Sequence, residues 1–229
     1  MRPALDSRIR AAIVDLDGTM VDTVGDFEAA LGEAFAELSL PAVDRAFIEQ
    51  TVGKGSEHLI RSTLEHVGAE VGLYAAAWTS YQAHYRRVNG RHSAIYPGVV
   101  EGLALLRDNG WPLACLTNKP TEFAEQLLQA KGLRGQFSFV FGGDAFARKK
   151  PDPLPLRKAC EALSTAPAET LMIGDSSNDA RAARAAGCPV WLVSYGYNHG
   201  EPVDRVDCDG IVDRLDRLPI PGRSGLSRD

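Results

Sequence analysis

The sequence predicts an α/β protein: a doubly wound parallel sheet, interrupted after its first strand by an inserted all-helical unit. Three observations predict it. A short apolar run, Ala11-Ala12-Ile13-Val14, reads as a buried strand. From residue 22 to 94 apolar residues recur at helical spacing with no convincing strand between. After Tyr96-Pro97-Gly98 the chain alternates helix and strand, the pattern of a parallel sheet covered on both faces.

The first strand is expected over 11–17. Phe27, Ala30, Leu31, Ala34, Phe35 and Leu38 then line one face of an amphipathic helix. Further helices are expected near 44–52, 56–67 and 70–88, with Trp78, Tyr81 and Tyr85 on the core side of the last. Beyond Pro97 come helix 99–109, strand Pro112 to Leu116, helix 121–131 and strand 137–141. Helix 153–163, strand Thr170 to Ile173, helix 178–186 and strand Pro189 to Val193 complete the series. This division gives a core domain at 1–21 and 95–220 and a helical insertion at 22–94. The polar stretch from Pro219 carries Pro, Gly and Ser, and a fraying tail is expected at 221–229. There are no repeats and no low-complexity block.

The chain has 229 residues, 45% of them hydrophobic, enough for a sizeable core. A net charge of -5 argues against a nucleic-acid binder, which usually carries a basic face. Met1 to Arg10 is polar, and the apolar run after it is far too short for a signal peptide or a membrane span. A cytoplasmic protein with no membrane partner is therefore expected. Cys115, Cys160, Cys188 and Cys208 are widely spaced with no Cys-x-x-Cys, so reduced thiols are expected rather than a zinc or redox motif. The five histidines show no metal-ligand spacing.

Asp15-Leu16-Asp17-Gly18-Thr19 closes the first strand. Two carboxylates so close repel, and each raises the other's pKa unless a cation lies between them. A divalent metal resolves the conflict, and Mg²⁺ prefers few carboxylates plus phosphate oxygens. One carboxylate is then free to attack phosphorus while the other moves protons. The plainer reading is an Asp-Gly turn at a strand end.

Polar residues also follow three other strands. These are Thr117-Asn118-Lys119, Lys149-Lys150-Pro151 and Gly174-Asp175-Ser176-Ser177-Asn178-Asp179. In an open parallel sheet, ligands bind at the carboxyl ends of strands, so neighbouring strands would bring these segments to one site. Phosphoryl transfer needs a nucleophile, a metal, hydrogen-bond donors and a cation on the phosphoryl oxygens. Thr117 and Asn118 would supply donors, Lys150 the cation and Asp175 a further metal carboxylate. Singly, each has a plainer reading: helix caps for Thr117, Asn118 and Asp175, and a solvated surface lysine for Lys150.

These four segments, in this order, resemble the motifs of the haloacid dehalogenase superfamily of phosphohydrolases. Asp15 to Thr19 matches its first motif, extended by Val21-Asp22-Thr23. Thr117-Asn118-Lys119 matches the second, Lys150-Pro151-Asp152-Pro153 the third, and Gly174 to Asp179 the fourth. The helical insertion resembles that superfamily's small cap. The resemblance implies a Mg²⁺-dependent phosphomonoester hydrolase with Asp15 as the nucleophile that becomes an aspartyl-phosphate. It implies that Asp17 protonates the leaving oxygen and then activates water. Mg²⁺ would be held by Asp15, the Asp17 backbone carbonyl and Asp175. Thr117, Asn118 and Gly18 would surround the phosphoryl group, Lys150 would neutralise charge, and Asp179 would orient Lys150 or metal-bound water.

Within the superfamily the chain is most similar to the phosphoglycolate phosphatases. The resemblance lies in Thr51-Val52-Gly53-Lys54-Gly55, in Tyr96-Pro97-Gly98-Val99, and in Gly142-Gly143-Asp144 leading into Lys149 to Leu156. The implied partner is a small phosphorylated metabolite, 2-phosphoglycolate first. Lys54 is the only lysine between residues 22 and 95, and its flanking glycines would let it approach a substrate carboxylate closely. The plainer reading is a solvated lysine in a turn between helices, with Arg61 and Arg86 as other basic residues of the insertion. A sugar-phosphate phosphatase or a pyrophosphatase is the alternative. A dehalogenase has no evident use for Asp17, and the phosphonatases lack that second aspartate. A phosphomutase would want a base shortly after the first motif, where residues 20–57 hold no histidine. A non-catalytic binding module would be expected to have lost Asp15, Asp17 or Lys150. Monomer and homodimer both remain open.

Overall fold

The computed structural model describes residues 5–220; the tail expected at 221–229 lies outside them. In chain order the elements begin with β1 (Ala11–Val14), β2 (Val21–Asp22) and α1 (Val24–Glu37). Then follow α2 (Arg45–Thr51), α3 (Ser56–His66), α4 (Tyr74–Val88), β3 (Ala94–Ile95) and α5 (Val99–Asp108). β4 (Leu113–Leu116), α6 (Thr121–Ala130), β5 (Phe139–Phe141) and α7 (Leu154–Leu163) come next. The chain continues with β6 (Thr170–Gly174), α8 (Ser177–Ala186), β7 (Val190–Val193) and β8 (Gly210–Val212).

Six strands form one sheet in the order β5-β4-β1-β6-β7-β8, every neighbouring pair parallel. The doubly wound sheet expected from the alternation is therefore present, and it gains β8, which the sequence pattern did not reveal. Strand residues alternate between faces. Ala12, Val14, Leu113, Cys115, Leu171 and Ile173 pack into the core layer of α5 and α6. Ala11, Ile13, Ala114, Leu116, Met172 and Val190 pack into the opposite layer, beneath α7 and α8. Both layers leave β1 wholly buried, which is why it reads as a continuous apolar run rather than an alternating one.

α1 to α4 build a third core, in which Phe35, Ile60, Tyr81 and Tyr85 are buried. Tyr81 and Tyr85 stack on one another with ring centroids 5.4 Å apart. Two chain crossings join this unit to the sheet, and they run side by side as β2 and β3, paired antiparallel at Val21↔Ile95 and Asp22↔Ala94. Two-residue strands fall below what hydrophobic periodicity can register, so none was expected at these margins. The four cysteines are free, as expected; Cys160 and Cys188 sulfurs lie 3.8 Å apart. No helix among the described residues is long and apolar enough to cross a membrane.

Placement of the site follows from strand order. The chain leaves β1 for β4 and β5 on one side, then crosses to β6, β7 and β8 on the other. The carboxyl ends of β4, β1 and β6 therefore meet where the winding reverses, the position at which such sheets bind ligands.

Candidate active site

Asp15 follows β1 directly, and its N–H continues the ladder by donating to the Ile173 carbonyl at 2.9 Å. The chain then turns at Gly18, whose φ of +80° suits glycine. A Cβ there would lie 2.5 Å from Asp175 Oδ2 and 2.9 Å from the Tyr197 ring, so the turn also makes room for its neighbours.

Lys150 Nζ sits among three acceptors. It donates to the Leu116 carbonyl at 2.9 Å and to Asp179 Oδ1 at 2.7 Å, and it lies 2.8 Å from Asp15 Oδ1. Its side chain is 2% exposed, Asp179 is 0% exposed and Asp15 10%. Burial drives the Lys150 pKa down, but Asp15 and Asp179 outweigh it and the net direction is upward. The solvated-lysine reading is excluded.

Asp179 is fully engaged. Its Oδ1 takes Lys150, and its Oδ2 accepts from Ser176 Oγ at 2.8 Å and from the N–H groups of Ser176 and Asp175 at 3.2 and 3.3 Å. It closes the first turn of α8 reciprocally with Ser176. Asp175 accepts from Thr19 Oγ1 at 3.1 Å on Oδ1 and from Tyr197 N–H at 2.8 Å on Oδ2.

Oxygens of Asp15, Asp175 and Asp179 lie within 4.8 Å of one another, a grouping able to hold a metal ion. The donor set suits a hard cation such as Mg²⁺. Asp15 Oδ1 is buried, and its one partner is the Lys150 ammonium at 2.8 Å. The Asp17 carbonyl accepts none of the backbone hydrogen bonds in its turn, where Gly18 N–H goes to Val21 O and Val21 N–H goes to Leu16 O. Asp179 has no oxygen to spare. Of the three carboxylates, Asp15 and Asp175 are the less engaged, and no backbone bond in its turn occupies the Asp17 carbonyl.

Burial, reinforced by Asp179 and Asp175 and opposed by Lys150, lifts the Asp15 carboxyl well above the usual carboxylate range. Burial first, and Asp179 next, push Asp175 up to about 7 from an ordinary 3.8. A carboxyl raised in the fold keeps its proton to higher pH than in the unfolded chain. The metal-free fold therefore loses stability as pH rises from about 4 to about 7. A cation that binds the ionised form offsets this loss. The rise in Tm caused by Mg²⁺ is expected to be larger at pH 8 than at pH 5.5; thermal unfolding at both pH values, with and without Mg²⁺, checks it.

Asp17 faces away from this cluster. Lys119 Nζ donates to its Oδ1 and Oδ2 at 2.8 and 3.0 Å, and Thr23 Oγ1 donates to Oδ1 at 2.8 Å. The Lys119 ammonium is itself covered by the rings of Phe27 and Tyr85, at 4.6 and 5.0 Å from their centroids. Thr117 ends β4 and accepts the Lys119 N–H on Oγ1 at 3.2 Å. Asn118 spends its side-chain amide on two carbonyls, those of Gly53 and Lys150, each at 2.9 Å.

The structure thus gathers Asp15, Asp17, Gly18, Thr117, Asn118, Lys150, Asp175 and Asp179 at neighbouring strand ends. Asp15, Asp17, Thr117 and Asn118 line one small cavity. Its other wall comes from the helical unit through Phe27, Gly53, Gly55 and Ser56. The cavity is tight, with room for little more than one water.

Lys54 is not brought there. It lines a separate depression with His58 and His199, while its two flanking glycines line the cavity. Both glycines have positive φ, +99° and +94°, and the loop turns Lys54 to the outer side. In its place the cavity meets the start of α3, where Gly55 is the N-cap and the first N–H groups lack intrahelical partners.

Lys119, Thr19, Thr23, Ser176 and Tyr197 support the site but were given no role from sequence. Lys119 stood next to two residues that were, and Tyr195-Gly196-Tyr197 follows β7 as the other polar segments follow their strands. Gly196 is required because a Cβ would meet the Asp175 Cβ at 2.1 Å.

A sequence profile of the haloacid dehalogenase-like hydrolases matches residues 9–187, and the chain belongs to that family. The relatives it resembles are more particular. It is 44% identical over 210 residues to a phosphoglycolate phosphatase of Thiobacillus denitrificans, covering 90% of this chain and 92% of that one. It is 41% identical to the phosphoglycolate phosphatase of Nitrosospira multiformis, with the same coverage. Among solved structures, one described as a predicted phosphoglycolate phosphatase from Haemophilus somnus superposes with a TM-score of 0.88 at 29% identity, covering 92% of this chain and 96% of that one. CbbY from Rhodobacter sphaeroides, solved in complex with phosphate, superposes with a TM-score of 0.78 at 26% identity and the same coverage.

Proposed function

We propose that this protein hydrolyses phosphomonoesters by transferring the phosphoryl group to Asp15 and then to water, with Mg²⁺ as cofactor and 2-phosphoglycolate as substrate. The observation that carries the reading is the contrast between the two aspartates of the first turn. The Asp15 carboxylate is met by one group, the Lys150 ammonium 2.8 Å from Oδ1, whereas both Asp17 oxygens are held by Lys119 and Oδ1 by Thr23 as well. A nucleophile needs a free lone pair aimed into the cavity; a proton carrier needs to be held in place beside it.

In the first step a carboxylate oxygen of Asp15 bonds to phosphorus, the bond from phosphorus to the leaving oxygen breaks, and Asp17 gives that oxygen a proton. In the second, Asp17 takes a proton from the water that attacks the acyl phosphate, releasing phosphate and restoring the Asp15 carboxylate. Lys150 stays positive throughout and offsets charge on Asp15 and the phosphoryl oxygens. Thr117 Oγ and the backbone beside it donate to those oxygens. Mg²⁺, held by Asp15, Asp175 and the Asp17 carbonyl, would supply charge neutralisation for the nucleophile and the phosphoryl group. α1 to α4 act as the cap over residues 22–94, shielding the acyl phosphate from bulk water while the attacking water is held beside Asp17.

The relatives' names support the substrate. So does the start of α3 at the cavity wall, where a glycolate carboxylate would meet the N–H groups of the first turn and the positive end of the helix. The test is phosphate release with Mg²⁺, comparing kcat/KM for 2-phosphoglycolate, several sugar phosphates and pyrophosphate. The expected result is a preference for 2-phosphoglycolate of at least about 10²-fold, the size of discrimination that a site built around a substrate's polar group attains or exceeds. A flat profile, or preference for a sugar phosphate, would discard the substrate and leave the reaction class standing.

A further inference from the structure

α1 begins without a cap of its own. Thr23 is its N-cap residue, yet the Thr23 hydroxyl makes no cap bond, because it donates to Asp17 Oδ1. The exposed N–H groups at a helix start need a partner. Val24 N–H reaches Asp22 Oδ1 at 3.3 Å, and the stronger partner lies 174 residues further on: the Tyr197 phenol oxygen accepts from Thr23 N–H at 2.8 Å and from Val24 N–H at 3.2 Å. The same hydroxyl donates to Asp22 Oδ1 at 2.8 Å. At the other end of the residue, Tyr197 N–H donates to Asp175 Oδ2 at 2.8 Å.

Asp22, Thr23 and Val24 are the crossing from the sheet to the helical unit, where β2 gives way to α1. The second crossing is close by, since Tyr96, just after β3, packs at a tilt against Tyr195 with ring centroids 4.4 Å apart. One rigid side chain therefore spans from the Asp175 carboxylate to the first turn of the helical unit.

We infer that Tyr197 is a positioning residue that ties the orientation of Asp175 to the start of α1, so that a cation at Asp175 and the setting of the cap bias one another. The inference rests on the proposed reading of Asp175 as a metal carboxylate. Coupling of this kind is reciprocal: whatever holds Asp175 Oδ2 in place steadies the crossing, and whatever seats the crossing prearranges Asp175. The hydrogen bonds to the start of α1 come from the phenol, so Tyr197→Phe removes them while keeping the ring packed beside Gly18 and the helical unit and the N–H on Asp175.

The experiment is amide hydrogen exchange at Thr23 and Val24, with and without Mg²⁺ and with no substrate present. In the wild-type protein, Mg²⁺ alone is expected to slow exchange at both amides about 5-fold or more, the lower end of ordinary coupling between sites. In Tyr197→Phe, Mg²⁺ still binds by calorimetry but no longer changes exchange there. Asp175→Asn, which keeps the tyrosine, loses the Mg²⁺ effect as well. Tyr195→Phe removes a neighbouring phenol that donates to the Thr19 carbonyl instead, and it keeps the effect. Equal slowing in wild type and Tyr197→Phe, or none in a wild-type protein that binds Mg²⁺, would overturn the inference and leave the metal site intact. Absence of Mg²⁺ binding to the wild type would overturn the reading of Asp175 itself, and this inference with it.

Discussion

Asp15→Asn is expected to lose turnover by at least about 10⁴-fold, the scale seen when a covalent nucleophile is removed, while the protein stays folded. An amide is nearly the same size as a carboxylate but offers no usable nucleophile. Lys150 keeps Asp179 as its counter-charge at 2.7 Å, so no buried charge is left unpaired. Asp15 is held above the usual carboxylate range by burial, which means that its charge is a burden to the metal-free structure. Removing that charge relieves it. A variant that is inactive with Tm unchanged or raised, measured by steady-state assay and thermal unfolding, separates the chemical role from a structural one. Wild-type-like turnover in Asp15→Asn would remove Asp15 as nucleophile.

Lys150→Met is expected to damage both activity and stability. The side chain is 2% exposed and serves Asp15, Asp179 and the Leu116 carbonyl at once. Methionine keeps the volume but leaves Asp179 Oδ1 and Asp15 Oδ1 buried without a cation. Breaking a buried pair by removing one partner costs about 3–5 kcal/mol, because the remaining charge is uncompensated. For a chain of this length that corresponds to a fall in Tm of roughly 10 °C. Mg²⁺ is expected to return part of this loss, since it binds against the same carboxylates. A variant with unchanged Tm would mean that Lys150 is not the counter-charge of the cluster.

Much of this arrangement was legible in the sequence, for a physical reason. Strands buried on both faces read as apolar runs, and the polar residues that end β1, β4 and β6 stand out against them. Asp15, Thr117 and Asp175 were therefore found by position alone, and strand order brought them together. Side-chain direction was not legible in the same way. Lys54 stood in a loop of suggestive composition, but the positive φ of Gly53 and Gly55, which no spacing reveals, faces it into a different depression. Lys119 and Tyr197 escaped because their partners are distant in sequence: Lys119 meets Asp17 across 102 residues and Tyr197 meets Thr23 across 174. β8 and the short β2–β3 pair escaped because two or three residues carry no period.

A phosphoryl group that passes through Asp15 can be caught there. The enzyme would be quenched in acid during steady turnover of its best substrate with Mg²⁺, digested, and its peptides weighed. One added phosphoryl group is expected on the peptide that contains Asp15, absent from Asp15→Asn and absent when substrate is withheld. Turnover with no phosphorylated peptide under conditions where acyl phosphates survive, or with the group on another residue, would contradict it.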